Sequence, residues 1–298
     1  MPKKDSVVQK PYIKTFFDRA TNTATHVVVD PATKHAAIID SVMDYEPAGG
    51  RISYESADVV AEYVLQNKLE VEWILETHAH ADHLSAAPYL QQKLGGKIGI
   101  GKKIIEVQNT FGKIFNEGTE FARDGSQFDA LWEDNDTFRV GTIHAKVLYT
   151  PGHTPADVSY LIGDAVFVGD TLFMPDYGSA RCDFPGGSAE ALYDSVQKIF
   201  SLPNETRMFL CHDYLPDGRG TYAWETTVGE QKRSNIHLQL GVSKEQFVAQ
   251  RSKRDQSLGM PKLIIPSLQV NIRAGDLPEP ENNGTRYLKV PLNTLQKD

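Results

Sequence analysis

The chain has 298 residues, 40% of them hydrophobic, and a formal charge of −8, which suits one large soluble α/β domain or two small ones. The acidic residues are scattered, which excludes a nucleic-acid groove and a polybasic membrane patch, and no apolar run approaches the roughly 20 residues needed to span a bilayer. The two cysteines, Cys182 and Cys211, provide no disulfide framework for a chain of this size. The opening Met1-Pro2-Lys3-Lys4-Asp5-Ser6 lacks the apolar stretch of a signal peptide. A cytoplasmic protein with a small-molecule partner, no nucleic acid and no membrane is the expectation.

In chain order, His26-Val27-Val28-Val29-Asp30 and Ala36-Ala37-Ile38-Ile39-Asp40 read as neighbouring strands joined by a turn at Pro31 to Lys34. A helix follows, with Ser56 as its cap and Val59, Val60, Tyr63 and Val64 at helical spacing. The apolar run 71–75 reads as a buried strand ending in Thr77-His78-Ala79-His80-Ala81-Asp82-His83. Imidazole and carboxylate donate lone pairs to borderline cations near neutral pH, and a turn after a strand lets several converge on one point. Residues 86–94 read as a short helix closed by Gly95-Gly96.

The pattern recurs downstream. The strand around residues 146–149 runs into Pro151-Gly152-His153, that at 166–168 into Gly169-Asp170, and that at 208–210 into Cys211-His212-Asp213. Four strand ends therefore deliver polar ligands, and loops held by rigid sheets are where function usually sits. Residues 188–200 read as an amphipathic helix capped by Ser188, and residues 243 to about 254 as another helix. The apolar, proline-bounded segment 261–271 reads as a tail packed on the surface. One domain over residues 1–298 is expected, with 240–298 as a C-terminal extension packed on it. His26, His35 and His144 read as structural or solvent-facing.

The order His78-Ala79-His80-Ala81-Asp82-His83, His153, Asp170, His212 resembles the metallo-β-lactamase superfamily. That resemblance implies an αββα sandwich with a metal site at one edge of the sheets; composition and periodicity alone give only mixed α/β. Many members are hydrolases with one metal on His78, His80 and His153, a second on Asp82, His83 and His212, and Asp170 bridging. Gly178-Ser179-Ala180-Arg181-Cys182-Asp183-Phe184, Ala191 to Val196, Ile199 to Pro203 and His212-Asp213-Tyr214 look like the persulfide dioxygenases, and the segment 260–270 looks like the tail of their bacterial β-lactamase-like hydrolase branch.

The finer resemblance implies one Fe(II) per chain on His78, His153 and Asp170, a 2-His-1-carboxylate triad that leaves about three positions open for a substrate sulfur and O2. It implies oxidation of a low-molecular-weight persulfide such as glutathione persulfide to sulfite and thiol. His80, Asp82, His83 and His212 then orient the ligands and ordered water, with Asp82 a candidate to steer a hydrolytic water. Arg181 and Tyr214 match positions near the substrate channel, although Arg181 is equally able to pair with Asp183. Asn235-Ile236-His237 stands where glutathione-binding members carry Asn-Pro-Arg, so Lys232, Arg233 or His237 is left to substitute for the missing cation, with Lys232 and Arg233 taken as the substrate-binding candidates. The loop 215–220 is a lid candidate, and Cys182 a minor redox candidate. A dinuclear zinc thioester hydrolase of the glyoxalase II type is the alternative, a non-catalytic metal module is set aside because every ligand position is kept, and a homodimer is left open.

Overall fold

A computed structural model describes residues 10–295; the opening Met1 to Ser6, read for a signal peptide above, lies outside them. In chain order the first half comprises β1 (Tyr12–Asp18), β2 (Thr23–Val29), β3 (His35–Ile39), β4 (Asp44–Glu46), β5 (Arg51–Ser53), α1 (Glu55–Gln66), β6 (Glu70–Leu75), α2 (Ala87–Leu94), β7 (Lys97–Gly101), α3 (Ile104–Ile114) and β8 (Ala130–Trp132). The second comprises β9 (Thr137–Val140), β10 (Ile143–Tyr149), β11 (Val158–Ile162), β12 (Ala165–Phe167), α4 (Ala189–Phe200), β13 (Arg207–Phe209), β14 (Glu225–Thr227), α5 (Val228–Ser234), α6 (Lys244–Gln256) and α7 (Ile264–Asn271). Two six-stranded sheets result, ordered β1-β2-β3-β6-β7-β8 and β14-β13-β12-β11-β10-β9, beside a β4-β5 ribbon.

Alternation along the strands sorts the apolar side chains into layers, because successive residues of a strand face opposite ways. In β3, Ala37 and Ile39 point between the sheets against Val147, Tyr160 and Phe167. Ala36 and Ile38 point outward with Val60, Leu90 and Phe111 of α1, α2 and α3. On the other sheet Phe167 and Phe209 face inward, while Val166 and Met208 meet Leu192, Val196 and Phe247 of α4 and α6. Helices thus cover the outer face of each sheet, an αββα sandwich.

Ser188 caps α4, accepting from the Ala191 amide, and Ser243 closes a capping box with Gln246 on α6. The expected cap at Ser56 is corrected: α1 begins at Glu55 with Tyr54 at the N-cap position. Asp44 instead accepts from the Ser56 amide at 2.9 Å and from its hydroxyl at 2.6 Å, so a carboxylate on the neighbouring ribbon does the cap's work. Within the segment 261–271, Ile264–Asn271 forms α7, with Pro266 in the first turn where its missing N–H is harmless. It is not a surface tail, for Leu268, Val270 and Ile272 join the core beneath the first sheet. Among the described residues no helix is long and apolar enough to cross a membrane.

Candidate metal centre

The loop after β6 carries His78, His80, Asp82 and His83, while β10, β12 and β13 lead into His153, Asp170 and His212. Gly169 makes one close approach possible: its φ is +51°, and a Cβ there would lie 2.4 Å from Thr77 Oγ1. Only glycine lets the β12 loop come this near the first. His78, His153 and Asp170 form one group of potential ligand atoms, and His80, Asp82, His83 and His212 another. Asp170 Oδ2 lies 3.9 Å from His78 Nε2 and 3.5 Å from His153 Nε2, and its Oδ1 lies 3.3 Å from His212 Nε2.

The hydrogen bonds set the tautomers. His153 Nδ1 donates to the Arg181 carbonyl at 2.8 Å, and His212 Nδ1 to the Asn22 carbonyl at 3.1 Å. A carbonyl only accepts, so Nδ1 carries a proton in each ring and Nε2 is the nitrogen turned to the centre. Thr77 gives its hydroxyl proton to Asp40 Oδ2 at 2.9 Å and so accepts from His78 Nδ1 at 3.0 Å, which also frees Nε2. His78 Nε2, His83 Nε2, His212 Nε2, Asp82 Oδ2 and Asp170 Oδ1 are all buried without a hydrogen-bond partner. Buried polar atoms rarely stay so. This set of aligned lone pairs and carboxylate oxygens fits a divalent cation.

His80 differs. Its Nε2 donates to Asp40 Oδ1 at 3.0 Å and Glu76 Oε2 at 3.1 Å, all three side chains being buried. Burial opposes its charge, yet Asp40 and Glu76 raise its pKa well above the ordinary value. Asp40 is held low against its burial by His80, whereas burial pushes Glu76 up, so Asp40 carries the counter-charge. Burial drives His78 well below its ordinary value and His83 to about 4, keeping both neutral. Asp40 and Glu76 escaped the sequence reading; their only signal was an acidic residue closing an apolar strand.

A cavity of about 680 Å3 opens over the centre, its walls including Asp82, His153, Asp170, Arg181, Tyr214 and Arg254. Burial raises the Tyr214 phenol well above its ordinary value, and the ring stacks on His212 at 5.7 Å. The Arg181 guanidinium binds Asp183 at 2.7 and 2.9 Å and donates to the Gly259 carbonyl at 2.6 Å, so its donors serve the wall as well as facing the cavity. Lys232 and Arg233 line no part of this cavity: they lie on the exposed face of α5, bonded to Asn204 and Glu230. The cations at its rim are instead Arg51, Arg254 and Lys262, all exposed, with Arg254 5.7 Å over the Tyr177 ring. The loop 215–220 is also absent from the lining. Arg219 ties it back to Asp176 at 2.9 Å and Asp213 at 2.7 Å. Burial raises the Cys182 thiol, which lies outside the lining, so the thiol form persists.

Fold and site together define a metal-binding αββα sandwich whose His/Asp centre sits where loops from both sheets meet. The sequence profile of the metallo-beta-lactamase superfamily matches residues 20–212, and the chain belongs to that superfamily. A Burkholderia pseudomallei protein named a probable metallo-hydrolase is 50% identical over 293 residues, covering 95% of this chain and 99% of that one. Glyoxylase B2 of Dictyostelium discoideum is 49% identical over 290 residues, covering 97% and 99%. The human mitochondrial persulfide dioxygenase ETHE1 is 27% identical over 266 residues, covering 88% of each. The crystal structure of ETHE1 from Myxococcus xanthus superimposes with a TM-score of 0.70 at 31% identity, covering 89% of this chain and all of that one.

Proposed function

We propose that the chain is an iron-dependent persulfide dioxygenase that holds one Fe(II) through His78, His153 and Asp170. The observation that carries this reading is the donor grouping. His78, His153 and Asp170 bring two imidazoles and one carboxylate together as one donor group. Asp40 and Glu76, which accept from His80 Nε2, raise the pKa of His80, the third ligand of a complete hydrolase site, and so favour a protonated ring over a metal ligand even though its Nδ1 has no partner. The likeness to ETHE1 in sequence and structure supports it.

In the reaction a persulfide, O2 and water give a thiol and sulfite. The sulfur–sulfur bond breaks, the terminal sulfur loses four electrons to O2 and ends with three oxygens, the carrier sulfur leaves as the thiol with one proton, and the other two protons are released with the sulfite dianion. Fe(II) held by His78, His153 and Asp170 would supply open coordination positions and redox chemistry for the sulfur and O2. The chain's own groups bind and orient. Tyr214, protonated at neutral pH, donates a hydrogen bond into the cavity, and the rim cations Arg254 and Lys262 attract an anionic carrier such as glutathione persulfide. Asp82, a quarter exposed and facing the same cavity, is held ionised by His212 and His83 against its burial, so its Oδ oxygens accept hydrogen bonds from water and orient it. Phe173 and Phe184 narrow the space around the centre and limit bulk water.

A second reading, a dinuclear zinc thioester hydrolase, is favoured by the intact group His80, Asp82, His83 and His212 and by the names of the more similar relatives. Metal analysis of protein loaded anaerobically, followed by an oxygen electrode with glutathione persulfide, separates the two. One iron per chain with O2 uptake and sulfite release is expected. Two zinc ions with thioester hydrolysis and no O2 uptake would refute the dioxygenase.

A further inference from the structure

The loop from Glu76 to Ser85 has no regular secondary structure apart from the isolated Met43–Leu84 bridge, so its backbone groups need partners from elsewhere. One side chain supplies three. Asn271, the last residue of α7 and only 4% exposed, donates from Nδ2 to the carbonyls of His80 and His83, both at 2.8 Å, and accepts from the Ser85 amide at Oδ1, also at 2.8 Å. An amide has two N–H donors and a carbonyl, so every strong group on this side chain pairs with the loop. The two accepting carbonyls flank Asp82. Holding both fixes the span of the turn that presents Asp82 and His83.

α7 is itself held firmly. Leu268, Val270 and Ile272 are buried in the core, and Gln108 of α3 donates to the Ile272 carbonyl at 2.9 Å. Just beyond, Gly275 has a φ of +100°, and a Cβ there would lie 2.8 Å from the Ser85 carbonyl, so this stretch packs directly on the loop's end. The far end of the chain therefore forms the bed of a loop some 190 residues earlier, Asn271 and His80 being 191 positions apart.

We propose that Asn271 is a positioning residue for the metal centre, clamping the His80–Ser85 turn so that the ligand loop is already shaped before an ion arrives. The inference concerns the loop and holds whichever ion the centre takes, so it stands or falls apart from the iron reading. Groups that orient ligands from outside the coordination sphere are typically worth ~10–100-fold in metal affinity. Gln269 provides the control. It lies on the same helix, is equally buried, and binds the Lys289 backbone at 2.7 and 3.0 Å without touching the loop.

The test is chelator competition with Zn(II) and with Fe(II), run separately, on the full chain and on Asn271→Ala, Asn271→Ser and Gln269→Ala, with the thermal midpoint of each apoprotein recorded. Asn271→Ala is expected to bind each ion about tenfold or more weakly, and Gln269→Ala to lower the midpoint with affinity unchanged. Asn271→Ser, whose hydroxyl serves one carbonyl, should fall between wild type and alanine, and it decides the matter if the alanine variant does not fold. Affinity within twofold of wild type in the folded Asn271 variants, or an equal loss in Gln269→Ala, would overturn the proposal.

Discussion

Replacing Asp40 by Asn changes one atom in a buried relay and should reverse a tautomer at the metal. Asp40 Oδ1 accepts from the Thr77 amide at 2.8 Å and from His80 Nε2 at 3.0 Å, and Oδ2 accepts the Thr77 hydroxyl proton at 2.9 Å. An Asn with its carbonyl at the Oδ1 place keeps the first two bonds but turns an N–H2 toward the hydroxyl. Thr77 then either leaves its proton buried without an acceptor, at about 1–3 kcal/mol, or gives it to His78 Nδ1 and moves the ring proton onto Nε2. Either result penalises the lone pair aimed at the metal by a similar amount, on the order of 5- to 150-fold in affinity. The lost charge beside His80 also destabilises the fold, by up to about 3–5 kcal/mol as for a broken buried pair. Chelator competition gives the affinity, urea unfolding the stability, and nitrogen-15 shifts of the histidine rings the tautomer. Thr77→Val removes the conflicting hydroxyl, so the Asp40→Asn effect on affinity should shrink in that background. An Asp40→Asn protein with wild-type affinity and an Nδ1-protonated His78 would refute this reasoning.

His153→Ala and Asp170→Ala should abolish iron retention while His83→Ala keeps most of the metal, as read by elemental analysis after gel filtration; an equal loss in His83→Ala contradicts a mononuclear site. Arg254→Ala should raise KM severalfold for an anionic persulfide with kcat little changed, and the difference should fade at high salt because an exposed cation is screened. Burial holds His26 at about 4, with Nε2 donating to the Leu210 carbonyl. Its native form is neutral, so stability is fully present above pH 6.5 and falls as the unfolded chain alone gains the proton. The loss is about 1.4 kcal/mol per pH unit, or about 2 kcal/mol by pH 5, and the difference in unfolding free energy from urea titrations between wild type and His26→Gln should change by that much between pH 7.5 and 5.

The ligands themselves were legible because strand periodicity told where each loop begins and histidine is scarce enough to stand out. His78, His153, Asp170 and His212 each follow a strand, and the fold brings those strand ends together. The residues that orient them were not legible, since an Asp at a strand end looks alike whether it faces water or His80. Nothing local links Asp40 to a histidine 40 positions later. Ser56 shows the same limit, a good cap by type that lost the role to Asp44 across the chain. Lys232 and Arg233 were chosen for their charge near a motif, but helical phase turns them to solvent, while Arg254 and Lys262 gain their place from how the chain's end returns over the cavity.

The centre draws His78 through His83 from the first sheet and His153, Asp170 and His212 from the second. Neither half of the chain holds a full donor set, so an ion that binds the folded form alone is also a cross-link between halves. Its affinity is added to the stability of their docking as RT ln(1 + [metal]/Kd), about 4 kcal/mol at a thousandfold excess over Kd. A chain whose sheets have formed but not yet closed on each other therefore has no complete site to load.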